Sequence, residues 1–387
     1  MVSYRINLFM MNVILINRRY CPGEAWTNRV LAYAKGLAEL GAKVSLVYLI
    51  ADAKRTPYEI NIPNVKVIKL WEKDTMIEGK FRLLSYLHNL YRARKLVKTG
   101  DKVFVYGAEK PIVKAVSKKG VKVYAEITEH PYIYNKNGKA GEDKIDDNSR
   151  RLSTLDGLCV ISNKLFGYFS SLGIPSEKLR VSNMFVDVDR FNITKNIKAN
   201  PYIAYCGIIS YDKDGVDVLI KSFAIFHEVH PEYKLYLIGR AFSNEILEGL
   251  KTLCKSLGVD EYVMFTGQIL PSAMPQMLVD AKILALARPN NLQAQNGFPT
   301  KLGEYLSTAN PVVVTSVGEI PLFIKDGVNG FLAEPDSPKS FADKLIWVAD
   351  HYEEACRVAA RGRKLAENEF SYKTQSKVLY DLMNNEK

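Results

Sequence analysis

Residues 296–316 read NGFPTKLGEYLSTANPVVVTS, which is a glycine turn followed by a helix-forming segment and a β-branched strand. Gly297 allows a tight turn, and Lys301 and Glu304 would project from the first turns of the helix. The run at 312–315 is short and rich in valine, as the strands of a buried parallel sheet are. This order predicts an α/β domain in which helices cross over between parallel strands.

The same alternation extends along the whole chain. Short β-branched runs are separated by longer segments of helical periodicity, and they fall into two sets of similar size. The predicted fold class is therefore α/β, with two Rossmann-like domains that each contain a doubly wound parallel sheet. In the first half the predicted strands are 12–17, 44–49, 65–70, 102–106, 121–127 and 158–162. In the second half they are 202–206, 234–238, 263–266, 283–287, 312–315 and 330–333.

A polar segment separates the two sets of strands. Residues 190–201 read RFNITKNIKANP, carry no apolar helical stripe and end in proline, so they are typical of a linker. We place the boundary near residue 195 and predict domains at 1–195 and 196–370. A last helix, within 371–387, is expected to pack back toward the N-terminal domain.

Composition excludes several classes of protein. The chain has 387 residues, of which 47% are hydrophobic and 11% aromatic, too many for a disordered protein. Its apolar runs are far shorter than the ~20 residues that a membrane-spanning helix needs. Lys and Arg outnumber Asp and Glu by 53 to 42, and the net charge of +11 suits nucleic acid, an anionic membrane surface or a phosphate-bearing substrate.

The cysteines and the N-terminal residues indicate where in the cell the protein is expected to be. Five scattered cysteines form no CxxC pair, which favours a reducing cytoplasm. The apolar N-terminus lacks a small-residue cleavage site, so we expect no signal peptide, and Met11 is an alternative start to Met1.

Two strand-end turns, besides the one at 296–304, carry cations suited to phosphate. The turn at 18–24 holds Arg18 and Arg19 but no GxGxxG, so a dinucleotide site is not expected, and an ordinary βα turn is the equal alternative. The turn at 206–215 holds Lys213, which either neutralises a phosphate or is a solvated loop lysine.

The charged residues of the helix predicted within 296–316 have two interpretations. Lys301 near an exposed helix N-terminus suits a diphosphate, and Glu304 one turn later suits a pair of ribose or sugar hydroxyls. The alternative is an i, i+3 surface pair between Lys301 and Glu304, which contributes only a few tenths of a kcal/mol.

Three segments in order resemble the retaining, nucleotide-sugar-dependent glycosyltransferases of family 4. SNMFVDVDRF at 182–191 is similar to the family's N-G-V-D-x-x-x-F hinge segment, and YCGIISYDKDGVDVLIKSF at 205–223 to its G-R-L-x-x-x-K-G donor loop. Residues 296–332 resemble the E-x7-E region and the strand and turn that follow it. The resemblance implies the GT-B fold, in which two Rossmann-like domains face each other across a cleft, with acceptor bound by the first and donor by the second.

The resemblance also implies roles for individual residues. Glu304 matches the second glutamate of E-x7-E, which contacts the donor ribose, and Lys213 matches the lysine on the diphosphate. His130 matches the histidine near the transferred sugar. Further donor and phosphate contacts are expected from Gly207, Gly297, Phe298, Pro299, Lys301 and Arg288, and the acceptor-side loop contains Arg19, Pro22 and Gly23.

Two positions depart from the family pattern. Asn296 stands where the first glutamate is expected, so it can hydrogen-bond sugar hydroxyls but brings no charge. Ile208 stands where arginine is usual, and Lys301 or Arg288 would have to supply the missing phosphate contact.

The mechanism that the resemblance implies needs no metal and no cofactor, and no metal-ligand cluster is apparent in the sequence. The donor, a UDP- or GDP-linked sugar, is a substrate, and cations stabilise the charge that develops on its departing diphosphate. A glycan or lipid-linked acceptor is expected and nucleic acid is not, since the basic residues are interspersed with acidic ones. A nucleotide-sugar epimerase of similar fold and an inactive sugar-nucleotide-binding partner of another transferase are the alternatives.

The segment KFRLLSYLHNLYRARKLVK at 80–98 predicts a basic amphipathic helix. Its apolar residues are Phe81, Leu84, Leu87, Leu90 and Tyr91, and we favour packing of this stripe into the core. The alternative is attachment to anionic lipid, on the inner face of the plasma membrane, through the basic residues Arg82, Arg92, Arg94, Lys95 and Lys98.

Overall fold

The computed structural model describes residues 11–51, 59–73, 82–131, 150–196 and 200–384. They divide into two compact units. Unit 1 takes the described residues up to Thr128, those between Asn137 and Ser182, and those from Tyr372 onward; unit 2 takes Glu129, His130 and Pro131 together with those from Asn183 to Ser371.

Unit 1 is built on a seven-stranded parallel sheet in the order β3-β2-β1-β4-β5-β6-β7. Its central strands are apolar on both faces because helices cover both. The prediction of a doubly wound sheet in this half is confirmed. The strands are β1 (Asn12–Arg19), β2 (Lys43–Ile50), β3 (Val65–Lys69), β4 (Lys102–Tyr106), β5 (Lys122–Ile127), β6 (Gly157–Val160) and β7 (Leu179–Val181).

The helices of unit 1 include the last one of the chain. Tyr372 Oη donates to Glu39 Oε1 at 2.8 Å, and a Cβ on Gly36 would lie 2.3 Å from Ser376 Oγ, so the C-terminal helix packs closely on the first helix. The helices are α1 (Ala25–Glu39), α2 (Arg82–Leu96), α3 (Lys110–Val116), α4 (Asn163–Ser171) and, numbered in chain order, α14 (Tyr372–Asn384).

The outcome for α2 differs from the favoured prediction. Leu84, Leu87 and Tyr91 are 56%, 50% and 53% exposed, and of the predicted core stripe only Leu90 is buried; Phe81 lies outside the described residues. The core-packing interpretation of that stripe is therefore wrong. A different arc of the helix is buried, consisting of Tyr86, Asn89, Leu90, Ala93 and, just past its end, Val97.

A buried ion pair joins α1 to β5. Arg29 donates from Nε and Nη2 to the two carboxylate oxygens of Glu126, each at 2.6 Å, and Tyr33 Oη donates to the same carboxylate at 2.7 Å. Arg29 also donates to the carbonyl of Ser182 at 2.7 Å. Burial alone would lower the pKa of Arg29, but the charge of Glu126 outweighs it and raises that pKa above its usual value.

Unit 2 contains a six-stranded parallel sheet in the order β10-β9-β8-β11-β12-β13. With it the predicted fold class, two Rossmann-like parallel sheets, is confirmed. The strands are β8 (Tyr202–Cys206), β9 (Lys234–Ile238), β10 (Val263–Gly267), β11 (Ile283–Leu286), β12 (Val312–Thr315) and β13 (Phe331–Ala333). The helices are α5 (Tyr211–Asp214), α6 (Val216–Val229), α7 (Asn244–Ser256), α8 (Met274–Asp280), α9 (Leu292–Asn296), α10 (Thr300–Ser307), α11 (Ile320–Phe323), α12 (Pro338–Asp350) and α13 (Tyr352–Leu365).

The strand predictions miss one element. All twelve predicted strands are present with ends shifted by at most two residues, but β7 was not predicted. Its three residues are too few to show any periodicity. Ser162, expected to end a strand, instead caps α4, with Oγ accepting from the Leu165 amide at 3.1 Å.

Residues 183–195, placed in the first domain by the sequence, are part of unit 2. Lys195 shows how they are held there, because its ammonium donates to Ala281 O at 2.9 Å and to Asn310 Oδ1 at 2.7 Å. Burial lowers the pKa of Lys195 to about 8.

Among the described residues, no helix is long and apolar enough to cross a membrane.

Replacement of Glu126 by Gln tests the buried ion pair of unit 1. The change leaves the buried Arg29 charge uncompensated, so we expect the free energy of unfolding to fall by about 3–5 kcal/mol in urea denaturation. Asp343→Asn, which breaks an exposed pair with Lys339, is the control and should cost less than about 1 kcal/mol. Equal effects of the two substitutions would contradict a stabilising role for the Arg29–Glu126 pair.

Candidate functional site

The strand order of unit 2 reverses between β8 and β11. From β8 the chain proceeds outward through β9 to β10, then returns to β11, which pairs with the other edge of β8 and continues to β12 and β13. Ligands of doubly wound sheets bind beyond the carboxyl ends of the strands at such a reversal. The segments that follow these two strands are 207–215 and 287–296, and they contain many of the predicted donor residues.

Glycines let these two segments approach each other. Gly215 has φ +62°, and a Cβ there would lie 2.0 Å from the carbonyl oxygen of Ala287. A Cβ on Gly207 would lie 2.4 Å from Cε of Lys301. Any larger residue at either position would separate the segments or displace the lysine, which gives Gly207 a steric reason to be glycine.

Asp214 is the acceptor around which the predicted cations gather. It is 2% exposed and accepts from Lys301 Nζ at 2.5 Å and from Tyr205 Oη at 2.8 Å. Burial by itself would raise the pKa of Asp214, but the charges of Lys301 and Arg288 and these hydrogen bonds outweigh it and lower that pKa below its usual value. The carboxylate is therefore ionised, and Lys301 does not form the predicted alternative pair with Glu304.

Arg288 is the second cation of this site, and it is more deeply buried than Lys301. It is 4% exposed, and its Nε has no hydrogen-bond partner among the described residues. The backbone of Arg288 is held by Thr315, whose hydroxyl donates to its carbonyl at 2.8 Å. One guanidinium nitrogen would lie 4.0 Å from a Cβ on Gly297, so the charge is next to the glycine turn. Lys301, Arg288 and Asp214 together carry a formal charge of +1, and Glu129 also acts on the charge of Arg288.

Lys213 occupies a different environment from Lys301. Its side chain is 44% exposed, and Nζ is 3.9 Å from Glu129 Oε1. Glu129 also accepts from Gln293 Nε2 at 3.2 Å, so the ion pair sits above α9. His130, the next residue, is buried, and burial lowers the pKa of its imidazole, which favours the neutral form.

Glu304 pairs with Arg190 rather than with a neighbour on its own helix. Arg190 Nη1 is 3.3 Å from Glu304 Oε1, and the glutamate side chain is 20% exposed. Burial raises the pKa of Glu304 in spite of the opposing charges of Arg190 and Lys301. The next residue, Tyr305, accepts from the Cys206 amide at 2.7 Å and so connects α10 to the end of β8.

The glycine turn at 296–299 is engaged in contacts within the chain. Asn296 donates from Nδ2 to Leu292 O at 2.9 Å, and the Gly297 amide donates to Gln293 O at 2.9 Å, which closes α9. Phe298 is buried against the rings of Phe323 and Phe370, and Pro299 precedes the first residue of α10.

The predicted acceptor-side residues belong to unit 1. Arg19 ends β1, and Pro22 and Gly23 lie in the turn before α1, where Gly23 takes φ +81°. Arg18, next to them, lies over the ring of Tyr86 at 5.1 Å. Across the described residues, no group of three or more His, Cys, Asp or Glu side chains could hold a metal ion.

Four residues of the site were not predicted from the sequence: Tyr205, Asp214, Glu129 and Arg190. Asp214 had a usable signal, because it lies between Lys213 and Gly215 where the family pattern places lysine directly before glycine. The donor loop is thus one residue longer than the pattern. Aspartate fills the position before glycine, and Lys301 of α10 supplies the cation beside it.

Replacement of Asp214 by Asn tests the buried cluster through pH. At neutral pH we expect the free energy of unfolding to fall by about 3 kcal/mol, because Lys301 and Arg288 lose their counter-charge. The native pKa of Asp214 is lowered, so its contribution is complete above the ordinary value of 3.8 and is lost as pH falls through the native value. The difference between wild type and variant should therefore narrow in urea titrations below about pH 4.

Asp217→Asn is the matched control for that titration. Asp217 forms a partly exposed i, i+4 pair with Lys221, and we expect a difference below about 1 kcal/mol at every pH. A difference for Asp214→Asn that stays constant into the acid range would contradict the assignment of an ionised Asp214.

A family model and curated sequences both match this chain as similar to glycosyltransferases. Residues 200–351 match the family model of glycosyl transferases group 1. A putative colanic acid biosynthesis glycosyltransferase, WcaL of Escherichia coli, is 24% identical over 59% of this chain and 56% of its own length. A D-inositol 3-phosphate glycosyltransferase of Streptomyces griseus is 25% identical over 43% of this chain and 35% of its own length. The matched region thus spans about half or less of these relatives.

Solved structures match the fold over nearly the whole chain. Anabaena Alr3699/HepE in complex with UDP and glucose superposes with a TM-score of 0.72 at 16% identity, covering 97% of this chain and 99% of its own. WaaG, a glycosyltransferase involved in lipopolysaccharide biosynthesis, gives 0.66 at 14% identity over 96% and 99%. The predicted resemblance is confirmed over residues 200–351, which are similar in sequence to group 1 glycosyl transferases. The chain has the two Rossmann-like parallel sheets of the GT-B fold.

Proposed function

We propose that this protein transfers a sugar from a nucleotide diphosphate donor to a glycan or lipid-linked acceptor with retention of anomeric configuration. The observation that carries the proposal is the surplus positive charge of Lys301 and Arg288 around Asp214, at the strand-order reversal of unit 2. A buried positive charge beside a helix N-terminus is suited to a diphosphate.

Known relatives support this choice of substrate class. The HepE structure holds UDP and glucose, and WcaL of E. coli and AmsK of Erwinia amylovora are described as biosynthesis glycosyltransferases for colanic acid and amylovoran. We infer a UDP- or GDP-linked sugar as the donor for this chain and a polysaccharide or its lipid-linked precursor as the acceptor.

The buried cations would act on the departing nucleotide. As the bond between the sugar and the diphosphate breaks, negative charge grows on the leaving phosphate and positive charge on the sugar ring. Asp214 holds the Lys301 ammonium, and Thr315 holds the backbone of Arg288, before the donor arrives, so the lysine needs little reorganisation when that charge develops. Arg288 would supply the contact that arginine makes in the family pattern where this chain has Ile208.

Lys213 would provide a third cation, which is more exposed than the other two. Its 3.9 Å contact with Glu129 is long for an ion pair and half-exposed, so a phosphate can replace the carboxylate at little cost. His130 would lie near the transferred sugar as a neutral imidazole, able to donate or accept a hydrogen bond. Asn296 would contact sugar hydroxyls once its amide leaves the Leu292 carbonyl.

Glu304 would bind the ribose of the donor. Its side chain is near the surface and keeps acceptor capacity beyond its 3.3 Å contact with Arg190. For unit 1 we propose acceptor binding through the loop that contains Arg19, Pro22 and Gly23. A lipid-linked acceptor would also imply work at the inner face of the plasma membrane.

The test is transfer by purified protein, with Lys213→Ala as the diagnostic variant. A panel of UDP- and GDP-sugars is first screened by thermal shift, since a bound donor raises stability as ln(1 + [L]/Kd). Lys213→Ala should then lower kcat by about 100-fold or more with an unchanged melting temperature of the free protein, because a cation facing the leaving phosphate is lost.

Lys221→Ala is the matched control for Lys213→Ala. Lys221 has the same kind of surface ion pair and a side-chain exposure of 43% against 44%, but it projects from α6 with Asp217 as partner. It should leave kcat within about twofold of wild type, since it meets no substrate.

Donor binding without transfer or hydrolysis in the wild type would refute the enzyme proposal, and equal rates for Lys213→Ala and wild type would remove Lys213 from the mechanism.

A further inference from the structure

Helix α2 of unit 1 presents an apolar face to solvent. Leu83, Leu84, Leu87 and Tyr91 are 67%, 56%, 50% and 53% exposed, and their spacing places them on one side of the helix. The other side of the helix packs into unit 1. Tyr86, Leu90 and Ala93 are buried there, and Asn89 donates to the carbonyl of Leu49 at 2.9 Å. We call the four exposed residues the α2 ridge. Isolated exposed leucines are ordinary, but a contiguous group of this size is typical of an interaction surface.

Cations border the ridge on its C-terminal side. Arg94 is exposed about two turns beyond Leu87 and about one turn beyond Tyr91. Lys95 Nζ lies 4.6 Å from the centre of the Tyr91 ring. Lys118 reaches the same end of α2, where it donates to the carbonyls of Arg94 and Val97. With the exposed Lys98, these residues form what we call the cationic rim: Arg94, Lys95, Lys98 and Lys118.

No acidic residue lies within the two segments that supply this charge, and Asp101, which accepts from the Lys98 amide at 2.7 Å, is buried. The sequences of 82–98 and 110–122 contain no Asp or Glu, although the chain as a whole has 42. The surplus of positive charge is thus concentrated beside the exposed leucines.

We propose that the α2 ridge and the cationic rim form a docking surface for an anionic lipid bilayer. Leucine side chains would enter the boundary between headgroups and acyl chains, Tyr91 would lie at the headgroup level, and the rim would meet lipid phosphates. An aromatic ring capped by an ammonium group suits this interface, since one face is apolar and the other charged.

Other occupants fit the surface less well. A nucleic acid would pair with the cations but would gain nothing from three exposed leucines. A second copy of the chain would bring two sets of cations together without any carboxylate between them. An anionic bilayer satisfies both the apolar ridge and the charged rim.

The docking surface is separate from the candidate donor site. Every ridge and rim residue belongs to unit 1, and the cluster around Asp214 belongs to unit 2. Binding to lipid can therefore be measured without a donor or acceptor, and its failure would leave the proposed transfer reaction untouched.

The experiment is co-sedimentation of the full chain with vesicles. Vesicles of phosphatidylcholine alone are compared with equimolar phosphatidylcholine and phosphatidylglycerol, at low and at physiological ionic strength. We expect binding to the anionic vesicles that weakens with salt. Lys95→Gln with Lys98→Gln should weaken that binding about tenfold or more, and Leu84→Gln with Leu87→Gln should do so by a similar factor.

Matched pairs from unit 2 serve as controls. Leu270→Gln with Val229→Gln removes two apolar side chains that are 72% and 54% exposed, and Lys251→Gln with Lys255→Gln removes two exposed cations of α7. Neither pair should change vesicle binding by more than about twofold. Thermal melts of all four double variants establish that each is folded.

Three outcomes would overturn the proposal. The first is no binding of wild type to anionic vesicles at low salt. The second is equal loss of binding in the ridge variant and in its unit 2 control. The third is a wild-type oligomer, measured by light scattering, that the ridge variant converts to a monomer, because the ridge would then be covered by a second copy. Loss confined to the ridge and rim variants supports the bilayer.

Discussion

The buried carboxylate of Asp214 is the interaction on which the candidate site depends. An ionised group with 2% exposure is tolerated only where opposite charge and hydrogen bonds replace its hydration. Lys301 and Tyr205 make those bonds, and Arg288 adds its field. The carboxylate in turn fixes the position of the partly buried Lys301 ammonium and offsets the charge of the buried Arg288. Three segments far apart in the sequence are thereby held at one end of the sheet.

This arrangement replaces a simpler one implied by the family pattern. The arginine of the pattern is replaced by Ile208, and two cations outside the donor loop, one on α10 and one after β11, lie near an acid that the loop contributes. The local charge remains positive. The positions of the cations depend on close packing at Gly207, which contacts Lys301, and at Gly215, which contacts the residue before Arg288. Only the exposed Lys213 keeps the position that the pattern indicates, and it is the cation with the greatest freedom to move.

Much of the fold could be predicted because its signals are local. Strand and helix periodicity identify twelve of the thirteen strands in the described part of the chain. Partners in the site could not be predicted, since Lys301 and Asp214 are 87 residues apart and meet only through the register of packed elements. The face of α2 was mispredicted for a related reason. Asn89 and Ala93 carry little hydrophobic signal, yet they are buried, and the more apolar side of the helix is exposed.

The C-terminal helix has a consequence for the order in which the protein can fold. Unit 1 takes α14 from the end of the chain, where Tyr372 bonds to Glu39 and Lys102 donates to the carbonyl of Met383 at 2.6 Å. During synthesis the sheet of unit 1 emerges first, but the surface of α1 stays uncovered until all of unit 2 has been made. Unit 1 can therefore be completed only after residues 183–371 have been synthesised, although most of its sheet is made before them.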